Sequence, residues 1–231
     1  MQKSSLFIKI SIVSVLVLNF TFGLRAQNNW GLFPVYSQEG KITEKLHYNV
    51  FLFSAINLNM SNDKWFMFYD ENTLIYKFTE RLSVAGSYTF QRSNVLSTFA
   101  TNENRLWQQV QYEHAVSDQL SLKHRLRFDE RFIQGEAFSH RFRYLIGFKY
   151  VMTEKLYCSG YNEFFMKTST PRSTVYGENW AFFGLGIKTS DNTSLDVGPT
   201  YITWVTNDAL ERLHLWYMQV QFNAKINLKR K

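Results

Sequence analysis

Charged side chains in the middle of the chain recur at every second position, the spacing that brings them to one face of a β-strand. Guanidinium groups pair with carboxylates and phosphates through parallel hydrogen bonds. The sequence therefore predicts either a network of arginine–carboxylate pairs or a binding site for a small anionic ligand, and both remain open. The candidate set is Arg105, Glu113, Arg125, Arg127, Asp129, Arg131, Arg141, Arg143 and Glu163.

Other chemistry finds little support in the residue patterns. None of the five histidines belongs to a zinc-type His-Glu-x-x-His motif, and no Gly-x-Ser-x-Gly nucleophile motif occurs. Ser139 and His140 are neighbours on a predicted strand, so their side chains point to opposite faces. We therefore predict no catalytic residue, no metal ligand and no cofactor, and a role without enzymatic activity is favoured over an enzymatic one.

The elements that carry these charges are long alternating strands. From residue 138 to residue 151, Phe142, Tyr144 and Phe148 share one face, and Arg141 and Arg143 share the other. Strands of soluble proteins average about five or six residues, and these are more than twice as long. An apolar face toward lipid and a polar face toward a lumen are typical of a transmembrane β-barrel. We expect Phe142, Tyr144, Phe148 and Phe183 to face lipid.

The fold predicted is all-β, an antiparallel transmembrane β-barrel of about ten strands, with a range of eight to twelve. Short turns are expected at Glu80, Asp118, Glu154 and Asp191, and longer joins near Asn62, Ser97, Gly135, Pro171 and Asp208. With ten strands, both termini fall on the short-turn side. The predicted strands are 45–59, 65–78, 81–92, 104–116, 120–132, 138–151, 155–167, 177–189, 193–205 and 210–226.

The N-terminus predicts secretion. Residues 1–26 combine Lys3 and Lys9 with an apolar core, which is typical of a signal peptide. We then expect an N-terminal segment at 27–44 and the barrel domain at 45–231. The formal charge of +7 is modest for 231 residues, and no basic recognition motif appears, so nucleic acid is not an expected partner. Outer-membrane lipid is an expected partner. The oligomeric state is open.

Several segments resemble domain of unknown function 2490. They include Asn-Arg-Leu-Trp-Gln-Gln at 104–109, Leu-Lys-His-Arg-Leu-Arg-Phe-Asp-Glu-Arg-Phe at 122–132, Tyr-Asn-Glu-Phe-Phe at 161–165 and Phe-Gly-Leu-Gly-Ile at 183–187. The likeness extends over 30–227. It implies an outer-membrane-like β-barrel from a family frequent in Bacteroidota, with no established activity and no catalytic residues.

The expectation is thus an outer-membrane barrel of unknown biochemical activity. The barrel would serve a structural role, bind a ligand or form a narrow channel. Arginine and carboxylate side chains would line its interior. Two alternatives stay open at this point: a lipid-modifying hydrolase of the outer membrane, and a soluble periplasmic binding barrel.

Overall fold

The computed structural model describes residues 30–58, 66–94, 100–167, 177–205 and 212–227. The expected signal peptide and the expected joins near Asn62, Ser97, Pro171 and Asp208 lie outside these ranges. Within them no helix is both long and apolar enough to span a membrane. The strands are β1 (Trp30–Lys41), β2 (Leu46–Asn57), β3 (Phe66–Lys77), β4 (Leu82–Ser93), β5 (Thr101–Ala115), β6 (Leu120–Ile133), β7 (Ser139–Val151), β8 (Leu156–Lys167), β9 (Glu178–Lys188), β10 (Thr193–Val205) and β11 (Arg212–Asn227).

These strands form one closed barrel. Each strand pairs antiparallel with the next along the chain, and β1 closes the sheet by pairing with β11 in parallel. The prediction of an all-β barrel of about ten strands is confirmed, and the described count is eleven. We call the end that carries the short connections the turn end, and the opposite end the loop end.

The first strand departs from the sequence-based expectation. Residues 27–44 were expected to precede the barrel, but Trp30–Lys41 is β1, so the barrel begins at Trp30 rather than at residue 45. Phe33 and Val35 face inward and are buried, which favours inclusion of the strand. Pro34 is tolerated because the pairing with β2 lapses at Phe33 and Pro34, while the register with β11 continues.

This extra strand also changes the end of the barrel at which the first strand begins. Gly31 pairs with Asn57 near the loop end, whereas Lys41 pairs with His47 and lies level with Asn227 at the turn end. The expectation that both termini of the barrel lie on the short-turn side is therefore wrong for the start of β1. An odd number of strands forces the first and last strands to run in the same direction.

Four of the five short connections at the turn end share one local structure. In four turns a hydroxyl side chain accepts a hydrogen bond from the backbone N–H three residues later, at 2.9 to 3.1 Å. The acceptors are Thr43, Thr79, Ser117 and Thr153, and each is followed by an acidic residue. Such side-chain hydrogen bonds replace part of a backbone turn, so this local sequence pattern sets the short connections and the antiparallel order.

The two faces of the wall differ sharply. On β7, Phe142 is 47% exposed on the outside, whereas Arg143 is 8% exposed in the interior. Outward apolar residues line up across neighbouring strands: Val110 lies opposite Leu126, and Leu126 lies opposite Tyr144. The wall thus has an apolar outer surface.

The interior is divided between an apolar half and a charged half. The apolar half lies between β10, β11, β1, β2 and β3. Its buried members are Phe33, Val35, Phe53, Ala55, Met67, Tyr69, Ile202, Leu215 and Tyr217. The charged half occupies the wall from β5 to β8 and is where the candidate residues lie.

Candidate functional site

Arginines on neighbouring strands face one another directly in the charged half. Arg105 lies opposite Arg131, and Arg127 lies opposite Arg143. Like charges at opposed positions destabilise a sheet, so carboxylates are needed beside them. Within the described part of the chain, six arginines share five carboxylates.

Glu163 on β8 holds two of these arginines. Its Oε1 accepts hydrogen bonds from Nη2 of Arg125 at 2.7 Å and from Nε of Arg143 at 2.8 Å. Arg125 belongs to β6, so the carboxylate connects β6 to β8 across β7. One buried anion therefore balances two cations on different strands.

Asp129 on β6 forms a second cluster with the arginines of β7. Arg141 donates from Nε and Nη2 to Oδ2 of Asp129 at 2.9 and 2.8 Å, and Nη1 of Arg143 lies 3.7 Å from the same oxygen. Arg141 also donates from Nη1 to Oε2 of Glu178 on β9 at 3.3 Å. Glu178 therefore holds Arg141 from β9, the strand beyond β8.

Glu103 on β5 is the anion of the third cluster. Arg131 binds it through two hydrogen bonds, from Nε to Oε1 at 2.6 Å and from Nη2 to Oε2 at 2.9 Å. Arg105 donates from Nε to Oε1 of Glu103 at 2.8 Å, and from Nη2 to Oε1 of Gln91 at 3.2 Å. The opposed pair Arg105 and Arg131 is thus bridged by a single carboxylate.

Glu71 on β3 receives a guanidinium from three strands away. Its Oε2 accepts from the Tyr69 hydroxyl at 2.5 Å, from Nε1 of Trp107 at 3.1 Å and from Nη1 of Arg127 at 2.9 Å. The Arg127 guanidinium also lies over the Trp107 ring, 3.6 Å from its centroid. The cation–π contact adds to the ion pair at this buried position.

Eight of the nine predicted residues take part in these clusters, and Glu113 does not. Glu113 lies near the turn end of β5, opposite Lys123, and its side chain is exposed. It lines the interior cavity, but no described cation lies within ion-pair distance of it. The expectation that Glu113 offsets the arginines is wrong, because the tilted strand carries it beyond them.

Four participants in these clusters were not in the predicted set: Glu103, Glu178, Glu71 and Trp107. Glu103 was expected in a polar loop, although it stands two residues before Arg105 and so shares its face; that alternation was the available signal. For Glu71 and Trp107, no pattern in the sequence pointed to the residues that they contact. Fifty-six residues separate Glu71 from Arg127, and only barrel closure brings them together.

Aromatic side chains cross the middle of the interior. The Trp180 ring on β9 lies 5.7 Å from Phe33 and 6.0 Å from Phe53, between centroids. Phe53 belongs to β2, four strand positions from β9 around the barrel. On its other side Trp180 contacts Phe165 at 5.7 Å, and the Arg143 guanidinium lies 4.4 Å from the Phe165 centroid. The charged and apolar halves are therefore in contact.

A cavity of about 750 Å³ remains inside the barrel. Its lining extends from Ser93 and Glu136 near the loop end to Glu113 and Lys225 near the turn end. Polar side chains dominate its turn-end half. The interior can therefore admit water or a small solute there, beside fixed charges.

The residues with possible catalytic or metal-binding chemistry are dispersed. Ser139 lies opposite Arg131 and His140 lies opposite Glu130, so they stand on opposite faces of β7. Nδ1 of His47 lies 3.0 Å from Oε1 of Glu39 in the interior. In the ranges that the structure covers, no group of three or more histidine, cysteine, aspartate or glutamate side chains could hold a metal ion.

Fold and site define a class: a closed, predominantly antiparallel β-barrel with an apolar exterior and an arginine–carboxylate interior. Residues 30–212 match the family described as "Protein of unknown function (DUF2490)", and the chain belongs to that family. The resemblance noted in the sequence is thereby confirmed. No curated protein matches the chain.

The chain is also similar to a solved structure described as "KdgM porin in complex with disordered oligogalacturonate". The two share 14% sequence identity with a TM-score of 0.42, and the match covers 74% of this chain and 91% of the porin chain.

Proposed function

We propose that this protein is an outer-membrane β-barrel of the structural or binding type, with a packed interior rather than a wide aqueous pore. The observation that carries the proposal is the outer surface. Each of the eleven strands exposes at least one large apolar side chain outward: Leu32, Ile56, Leu74, Tyr88, Val110, Leu126, Phe142, Phe164, Leu185, Val197 and Val220.

This exposure is costly in water and favourable in lipid. Leu126, for example, is 60% exposed in the middle of β6. Soluble monomers rarely expose contiguous apolar patches above a few hundred Å², whereas a membrane barrel requires an apolar belt all around. A soluble periplasmic barrel would need a partner to cover the entire circumference.

Aromatic clusters stand on the outer face toward both ends of the belt. Trp30, Trp216 and Tyr201 stack side by side near the loop end, with centroid separations of 6.1 and 4.5 Å. Tyr36 and Phe222 stack nearer the turn end at 6.1 Å. Aromatic girdles at the two membrane interfaces are typical of outer-membrane barrels. The turn end would then face the periplasm.

The interior favours binding or structural support over free diffusion. Contacts between Trp180 and Phe53 cross the barrel, and the ion pairs fill the opposite wall. Buried ion pairs of this kind hold strands in register when every partner is present. A lipid-modifying hydrolase would need a nucleophile and a base in contact on one face, which Ser139 and His140 do not provide.

Fractionation and site-directed labelling test the membrane location. In a Cys158→Ser background, the full chain is expressed in a Gram-negative host as Phe142→Cys or as Ser159→Cys. We expect both variants in the outer-membrane fraction, released by detergent but not by a urea wash. A lipid-soluble thiol reagent should label position 142 on the outer face and spare position 159, which lines the interior. Recovery in the soluble periplasm without detergent would refute the proposal.

A further inference from the structure

Beside the ion-pair network, the turn-end half of the cavity holds cationic groups that the network does not use. Lys123 on β6 and Lys149 on β7 both line the cavity. Lys123 lies opposite Gly147, two residues before Lys149 on the same face. In the part of the chain that the structure describes, neither ammonium group has a carboxylate within 4.0 Å. Two adjacent cations therefore stand without a bound anion.

Arg125 adds a donor to the same wall. It stands two residues from Lys123 on the same face of β6 and lines the same cavity. Its Nη2 is taken by Glu163, but its Nε–H is buried and has no hydrogen-bond partner. A buried donor without an acceptor is unfavourable, so Arg125 carries an unused hydrogen-bond donor at this wall.

Tyr161 completes the arrangement from β8. It lies opposite Gly147, so Lys123, Gly147 and Tyr161 form one row across three strands. Its hydroxyl forms no hydrogen bond with any described residue. Gly147 places no side chain in this row, and a Cβ there would lie 3.3 Å from the Gly160 carbonyl oxygen and 3.5 Å from Cβ of Tyr161.

The carboxylates of this half of the cavity are either occupied or more distant. Asp196 accepts hydrogen bonds from Tyr157, Ser159 and Asn223. Glu39 binds Lys77 and His47. Glu113 lies opposite Lys123 but is solvent-exposed and makes no ion pair with it. Neither Lys123 nor Lys149 therefore forms an ion pair with a described carboxylate.

We propose that Lys123, Arg125, Lys149 and Tyr161 form a binding site for an oxyanion, such as the phosphate or carboxylate group of a small solute. Two ammonium groups supply charge, and the Arg125 Nε–H and the Tyr161 hydroxyl are hydrogen-bond donors that no described acceptor uses. Lys149 is held in place over the Tyr157 ring, 3.9 Å from its centroid. The inference deepens the binding role proposed above, but it does not depend on the membrane location.

The test uses the full chain in detergent with inorganic phosphate as the probe. Thermal unfolding is followed as phosphate is titrated against sodium chloride at equal ionic strength. We expect a saturable rise in the unfolding temperature with phosphate, which reports ligand binding to the folded state. Lys123→Gln and Lys149→Gln should each raise the half-saturating phosphate concentration at least tenfold, and Tyr161→Phe should raise it severalfold.

Lys155→Gln is the matched control, because it removes one positive charge from an exposed turn at the same end. It should bind phosphate as the wild type does. A response to chloride equal to that of phosphate, or an equal response in the Lys123 and Lys155 variants, would overturn the site. Heat-modifiable migration on gels identifies variants that fail to fold. If the lysine variants fail to fold, Tyr161→Phe, which alters no charge, tests whether the site binds phosphate.

A second titration with dihexanoyl phosphatidic acid identifies the source of the oxyanion. An affinity similar to that for inorganic phosphate supports a free solute. Much tighter binding that still depends on Lys123 and Lys149 supports the site with a lipid headgroup as its occupant. Because these titrations need only folded protein, they can succeed even if fractionation finds the chain outside the membrane.

Discussion

At the scale of single residues, the network depends on carboxylates that each serve more than one arginine. Glu163 is 3% exposed and is the only ion-pair partner of Arg125 within the described chain. Arg143 would keep Asp129, but at 3.7 Å. Removing a carboxylate at such a position leaves a buried guanidinium without its counterion, which is more costly than the pair itself is stabilising.

We therefore expect Glu163→Gln to destabilise the barrel by about 3 kcal/mol, the lower end of the range for breaking a buried pair. Thermal unfolding in detergent measures the change. Glu154→Gln makes the same substitution in an exposed turn and should have little effect. Equal unfolding temperatures for the two variants would show that the interior charges do not hold the barrel together.

At the scale of elements, β1 decides how the barrel closes. β2 and β11 run in opposite directions and could pair directly to close a ten-stranded barrel, but β1 lies between them. The apolar side chains Phe33 and Val35 favour this insertion, because they complete the buried cluster with Phe53 and Tyr217. Hydrophobic burial therefore outweighs the lost ladder contacts at Pro34.

Cysteine pairs distinguish the two closures in a Cys158→Ser background. Gln38 lies opposite Ala224 on β11 and opposite Val50 on β2. Gln38→Cys with Ala224→Cys should form a disulfide, seen as a gel shift that a reductant reverses. Val50→Cys with Ala224→Cys should not, because positions two strands apart are separated by roughly 9 to 10 Å, beyond disulfide reach. The opposite result would establish ten-strand closure.

At the scale of the whole molecule, the proposed membrane barrel would conduct little, because side chains occupy much of its interior. Side chains from β2 and β9 meet across the lumen through Phe53 and Trp180. The charged half fills the space beside them, which leaves a cavity of about 750 Å³. Aromatic contacts of this kind are worth roughly 0.5–1.5 kcal/mol each beyond the area they bury, so they would keep the lumen constricted at rest.

Planar-bilayer recordings test this constriction. The wild-type protein should show no steady conductance of a wide pore, and the double variant Phe53→Ala with Trp180→Ala should conduct severalfold more. Phe142→Ala, which removes an outward ring of similar size, is the control and should behave as the wild type. A large, stable conductance from the wild-type protein would contradict a packed lumen.

Much of the fold could be predicted from the sequence because it rests on local regularities. Alternation along β7 alone determines that Arg141 and Arg143 share a face opposite to Phe142. Polar connections such as the one at Glu154 separate the strands, and a hydroxyl followed by an acid at Thr153 and Glu154 makes the turn short. These features act within a few residues, so they can be recognised in the sequence without knowledge of the neighbouring strands.

Only the tertiary structure decided which charges meet and how the sheet closes. Arg127 shares its face with Arg125 and Asp129, yet it binds Glu71, three strands away. That choice depends on the curvature and tilt of the closed wall, which bring distant strands together across the lumen. The sequence also could not show that β1 belongs to the barrel. Tyr217, which packs against Phe33, lies near the other end of the chain and becomes adjacent only when the barrel closes.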